Sequence, residues 1–132
     1  MRHLIPTLFV AAALAAVPAT AREKLAPEDQ LAKLLEGRVA GKPQNCIPLS
    51  TTQSSQIIDK TAIVYRVGST LWVNRPKGGA ESLDDDDILV LKTSGSQLCS
   101  IDTLELHDRT SHMYSGFVSL GEFVPYRRAK GE

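Results

Sequence analysis

Two apolar runs, Ala62 to Val67 and Thr70 to Asn74, flank the pair Gly68-Ser69. Both are rich in β-branched and aromatic residues, and a Gly-X pair between such runs predicts a two-residue β-hairpin turn. In extended chain Ile63, Tyr65 and Val67 point one way while Ala62, Val64 and Arg66 point the other. Leu71 and Val73 share a face, with Trp72 opposite them. A lone hairpin is marginal in water, so this one needs further strands and a cover.

The pattern around the hairpin supplies both. Ala26 to Gly37 reads as a short helix: Pro27 suits its first turn, Glu28 and Asp29 complement its N-terminal dipole, and Gly37 suits its stop. Leu31, Leu34 and Leu35 form one apolar stripe that should pack on a sheet. Val39 to Gln44 reads as a linker, and Cys46 to Leu49 begins the β region at an edge, since Pro48 cannot donate to a ladder. Ser50 to Ser55 is polar and is expected to be irregular, followed by a short strand at Gln56 to Ile58. Arg75 to Gly79 is a loop, Ile88 to Lys92 an apolar strand, Thr93 to Ser96 a turn, and Gln97 to Cys99 a short strand. Thr103 to His107 alternates, with Leu104 and Leu106 on one side and Glu105 and His107 on the other. Asp108 to Ser115 is a polar connection, and Gly116 to Leu120 with Glu122 to Val124 reads as one strand kinked at Gly121. The fold class expected is mainly β: about six short antiparallel strands curled into a small barrel or sandwich, preceded by one short amphipathic helix.

The N-terminus changes the picture of where this domain works. Arg2 and His3 precede an apolar stretch of 14 residues, Leu4 to Val17, too short for the ~20 that span a bilayer. Pro18 breaks it before Ala19-Thr20-Ala21, which fits a signal-peptidase site. The organisation expected is therefore a signal peptide at 1–21, a helix and linker at 22–44, a β domain at 45–126 and a flexible tail at 127–132. Cleavage leaves 14 basic and 15 acidic residues, a net charge of −1. That balance argues against nucleic acid as a partner, and no membrane span is expected after cleavage. Cys46 and Cys99 are the two cysteines, and in an oxidising compartment they are expected to pair, closing a loop of 54 residues.

Candidate chemistry is sparse. Asp84 to Asp87 invites a calcium reading, but counting from Asp84 puts Leu89 at position six and Gly95 at position twelve, where an EF-hand needs glycine and glutamate. A solvated turn before an apolar strand is the expectation. His107 and His112 stand five apart, too few ligands for a zinc site once the cysteines are bridged. Ser100, His107 and Asp102 could be drawn as a hydrolytic triad, yet no G-x-S-x-G turn presents a nucleophile. No catalytic residue, cofactor or metal site is expected. Tyr65, Arg66, Trp72 and Arg75 could form an exposed ligand patch; the competing reading buries Tyr65 with Ile63 and Val67 and lays Trp72 over the other face.

Several segments carry a resemblance: Cys46 to Leu49, Gln56 to Tyr65, Trp72 to Pro76, Asp86 to Val90, Ser96 to Asp102 and Leu120 to Tyr126. They resemble a family of small uncharacterised exported proteobacterial proteins over roughly residues 45 to 126. Some relatives in that family carry two further cysteines, near the positions of Ala80 and Ser119, so the resemblance implies that this chain keeps one of two bridges. Tyr114-Ser115-Gly116 also resembles the exposed Ser-Gly loop of small periplasmic lysozyme inhibitors. The function expected is a binding or envelope-structural role without catalysis, in the periplasm or secreted, with an envelope protein or a small ligand as partner. The alternatives are an envelope-enzyme inhibitor, with Tyr114 and Ser115 in the patch, and a metal-dependent protein or enzyme using His107, His112 and Asp84 to Asp87.

Overall fold

A computed structural model describes residues 15–19, 21, 23–92 and 95–130. The proposed leader falls largely outside the described residues, as do Thr93 and Ser94 of the expected turn. The fold is mainly β with antiparallel sheets, but the described residues form ten strands and not six: β1 (Arg38–Ala40), β2 (Cys46–Pro48), β3 (Thr52–Ile58), β4 (Ala62–Val67), β5 (Thr70–Asn74), β6 (Asp87–Leu91), β7 (Gln97–Cys99), β8 (Thr103–Asp108), β9 (Tyr114–Ser119) and β10 (Phe123–Arg128). They form a five-stranded sheet in the order β1-β10-β5-β4-β3, a three-stranded sheet β6-β8-β9 and a two-stranded ribbon β2-β7. No closed barrel forms among the described residues, because β3 and β6 end their sheets without pairing to each other.

The central hairpin follows its pattern. Gly68 takes the positive φ, 60°, that the first position of a Gly-X turn requires. Ile63, Tyr65 and Val67 join one apolar cluster, while Ala62 and Val64 join a second on the opposite face. The first cluster fills the space between the five-stranded sheet and the two smaller ones, with Ile47, Leu98, Leu104, Leu106, Val118 and Phe123. The second is capped by helix α1 (Pro27–Leu34), whose Leu31 is buried on Ile58, Val64, Leu71 and Val73. Both faces of the five-stranded sheet are thus covered, which is why β4 and β5 are apolar on successive positions.

Six expectations need correction. Trp72 does not cover the other face from Tyr65: the tight turn sets the two directly opposite each other, so both enter the first cluster. The polar stretch from Thr52 to Ser55 is strand, since an edge strand with one side open to solvent tolerates Ser and Gln. The linker from Val39 begins inside β1, and the expected tail donates Arg127 and Arg128 to β10, its partner. The kinked strand at Gly121 is two strands, β9 and β10, in different sheets. Finally, the polar connection after Asp108 is shorter than expected, because Tyr114 and Ser115 already belong to β9.

The switch of sheet between β9 and β10 is held by Asn74, a fully buried amide on β5. Its Nδ2 donates to the Gly121 carbonyl at 2.8 Å, and its Oδ1 accepts from the Gly121 N–H at 3.0 Å. Replacing Asn74 with alanine leaves both backbone groups of Gly121 without that partner. We expect a loss of about 2–3 kcal/mol in urea unfolding; a loss below ~0.5 kcal/mol would show that water replaces the amide.

Candidate functional site

The gap between β3 and β6, where a barrel would have its seam, is a groove of about 500 Å³. Ser55, Gln56 and Ile57 of β3 form one wall and Asp87, Ile88 and Leu89 of β6 the other, with Gln30 of α1, Asp85 and Arg109 at its margins. Each wall is the unpaired edge of a sheet. In an antiparallel edge strand every second residue turns its N–H and C=O outward. The groove therefore presents main-chain donors and acceptors as well as polar side chains. A volume of this size lies within the ~300–1,000 Å³ range of ligand clefts.

The four aspartates do not share one environment. Asp84 turns back to accept from the Asp86 N–H at 2.9 Å. Asp85 holds the Lys24 ammonium, which also reaches Asp59 at 3.0 Å, so the lysine bridges both carboxylates and its pKa is raised by them. Asp86 faces the Arg109 guanidinium at 3.8 Å. Asp87 is buried, contrary to the expectation of a solvated turn throughout. Burial pushes the Asp87 carboxyl upward; a hydrogen bond from Ser115 opposes that, and the nearby charges of Asp84, Asp108 and Asp86 add to the rise. Arg109 also donates to the Asp87 carbonyl at 3.3 Å. The result is a buried carboxylate with a raised pKa at the wall of a cleft, which makes Asp87 a candidate functional position.

The remaining sequence candidates lie elsewhere. Tyr65 and Trp72 are buried, and burial raises the Tyr65 phenol; Trp72 is covered by the Arg127 guanidinium, 5.8 Å from its ring. Arg66 is half-buried on β4, and Arg75 is engaged by Glu28 through two hydrogen bonds of 2.9 and 3.1 Å. The exposed patch from these four residues is therefore not assembled. Tyr114 and Ser115 stand on β9 and not on a loop, which removes the geometric basis of the likeness to lysozyme inhibitors. Ser115 nonetheless touches the groove wall through Asp87. Ser100 lies 3.4 Å from Asn45 Oδ1 and Asp102 accepts from the Cys99 N–H, so no triad with His107 forms.

His107 and His112 do not converge on a metal. His107 Nδ1 lies 3.2 Å from the His112 carbonyl and its Nε2 3.1 Å from Glu105, which in turn holds Lys92 at 2.7 Å. Both ring nitrogens face acceptors, an arrangement suited to the imidazolium. The Glu105 hydrogen bond, then the His112 carbonyl, raise the His107 pKa above 6.5. A raised pKa means that the stabilisation is complete below the unfolded value and disappears as pH climbs through the folded one. We expect an NMR titration midpoint above 6.5 that falls back in Glu105→Gln; a wild-type midpoint at or below that value would contradict the contact. Among the described residues the carboxylates close enough to share a cation are Asp59, Asp84 and Asp85, and Lys24 already binds two of them.

Gln30, Ser55, Gln56 and Arg109 carry no motif, and only the juxtaposition of two sheet edges identifies them. The Cys46–Cys99 disulfide points to an oxidising, non-cytoplasmic compartment. Among the described residues no helix is long and apolar enough to cross a membrane. Comparison with protein families, curated proteins and solved structures found no match to this chain.

Proposed function

We propose that this protein is a non-catalytic binding protein, exported to the periplasm or beyond, whose ligand sits in the groove between β3 and β6. The observation that carries this reading is the meeting of two unpaired strand edges around a cleft that also holds the buried carboxylate Asp87. A fold that leaves two edges open gives up hydrogen bonds it could have made by closing, and proteins normally blunt such edges. The disulfide supports export, and the leader read from residues 1–21 supplies the route. On this reading the chain belongs with the small exported proteins whose segments it resembles. The non-catalytic part rests on Ser100, His107 and Asp102, each engaged with a different partner, so that no nucleophile is set against a base.

Amide-shift mapping tests the reading with a panel of short peptides, amines, dicarboxylates and oligosaccharides. The first amides to respond should be those of Ser55 to Ile57, Ile88, Leu89 and Arg109. Shifts confined to the exposed face around Met113, Tyr114 and Phe117 would move the site and overturn the proposal. Export is tested by N-terminal sequencing of protein recovered from a periplasmic fraction. Arg22 is expected as the first residue, and a chain starting at Met1 would contradict the leader.

A further inference from the structure

Resting on that reading, we propose that the ligand is an extended segment of a partner protein with lysine or arginine at alternate positions, bound as an added strand on the edge of β3.

Three observations lead there. The first is the character of the edge itself. From Ser54 to Ile58 the outer strand of the five-stranded sheet reads Ser-Ser-Gln-Ile-Ile, without a proline or a charged residue, and its register shift lies upstream, between Thr52 and Ser54. Charged side chains, prolines and bulges are the devices that keep a foreign strand off an edge, and this stretch has none. The other edge lining the groove, β6, begins on the charged Asp87. Of the two groove edges β3 is therefore the one without a charged residue, and an incoming strand would satisfy its outward N–H and C=O groups while alternate side chains reach the groove.

The second is charge. Asp85 and Asp87 line the groove, and Asp59, Asp84, Asp86 and Asp108 lie beside them, against Lys24, Lys60 and Arg109. The balance is three negative charges, which selects a cationic strand and disfavours an acidic one.

The third is that the chain already shows this chemistry within itself. Residues 23–26 are neither helix nor strand, and from this segment Lys24 sets its ammonium between Asp59 and Asp85 at 3.0 and 2.5 Å. Gln30, at the groove margin, donates to the Leu25 carbonyl of the same segment at 2.6 Å. A lysine on an irregular backbone is thus the kind of group this acidic cluster accepts. Lys24 is an internal competitor for it.

The experiment measures binding by isothermal calorimetry to capped octapeptides alternating Lys with Thr or Glu with Thr. A third probe is the Lys/Thr peptide N-methylated on alternate residues, which keeps its charge but loses the donors along one edge. The Lys/Thr peptide should bind, slow amide exchange at residues 55–57, and lose binding on N-methylation. Lys24→Ala, which frees Asp59 and Asp85, should tighten binding about two- to five-fold, and Asp85→Asn should weaken it by a similar factor, as exposed ion pairs allow. Both residues are exposed, so neither change threatens the fold. Equal binding of the Glu/Thr peptide overturns the charge assignment, and undiminished binding of the N-methylated peptide overturns strand addition. In either case shifts confined to groove amides would leave the groove itself standing as the site. Lys24→Ala weakening the Lys/Thr peptide would also overturn the proposal, since it would make Lys24 part of the seat.

Discussion

Replacing Cys46 and Cys99 together by alanine should lower the unfolding free energy by about 4 kcal/mol, the entropy that a link of this span removes from the unfolded chain. The bridge joins residues 53 apart in sequence that are direct cross-strand partners in the β2-β7 ribbon. Its value exceeds the ribbon itself. A two-stranded ribbon of three residues a side cannot hold its own register, yet it delivers Ile47 and Leu98, 0% and 2% exposed, to the main cluster. Without the link those side chains must be ordered by packing alone. Urea unfolding of the alanine pair measures the effect, and a loss under ~1 kcal/mol would mean that the ribbon is held by its apolar contacts. The same protein under reducing conditions should behave as the variant does.

Phe123→Ala is the second large effect, with an expected loss of about 3–5 kcal/mol. Phe123 is fully buried, opens β10, and lies 6.0 Å from the Tyr65 ring. Its backbone also exchanges two hydrogen bonds of 2.8 Å with Gln44, tying the incoming chain to the sheet. Truncation would therefore leave a cavity where the five-stranded sheet meets the smaller ones. Phe117 gives the internal control: on β9 it is 53% exposed, and Phe117→Ala should stay within ~0.5 kcal/mol of wild type. Similar losses from the two substitutions would contradict the placement of the core.

Much of the fold is legible where side chains must choose between two buried faces. The alternation of Ile63, Tyr65 and Val67 against Ala62 and Val64 sorts them into the observed clusters, and Leu31, Leu34 and Leu35 reveal the helix that covers one face. The position of Trp72 is legible too: the two-residue turn pairs Val67 with Thr70 and so sets Trp72 opposite Tyr65, a register that laying Trp72 over the other face ignores. β1 and the end of β10 are short and exposed, so they have no apolar pattern to read. The open seam was illegible for a different reason: periodicity reports which face of a strand is buried, and not which strand lies beside it. The groove residues inherit that blindness. Asp87 stands in a run of four aspartates that composition alone reads as solvated, and its burial follows from Ile88 to Leu91 continuing the strand that it begins. Gln56 looks like any polar residue until β3 is seen to have no neighbour on its outer side.

That missing neighbour is the central claim, and residue-by-residue amide hydrogen exchange tests it most directly. In the free protein the outward N–H groups among residues 55–57, 88 and 89 should exchange rapidly, while those directed at β4 and β8, and that of Asp87, which donates to the Asp84 carbonyl, remain protected, and bound ligand should slow the outward set. Uniform strong protection along both strands in the free protein would mean that the seam is closed, and with it the groove.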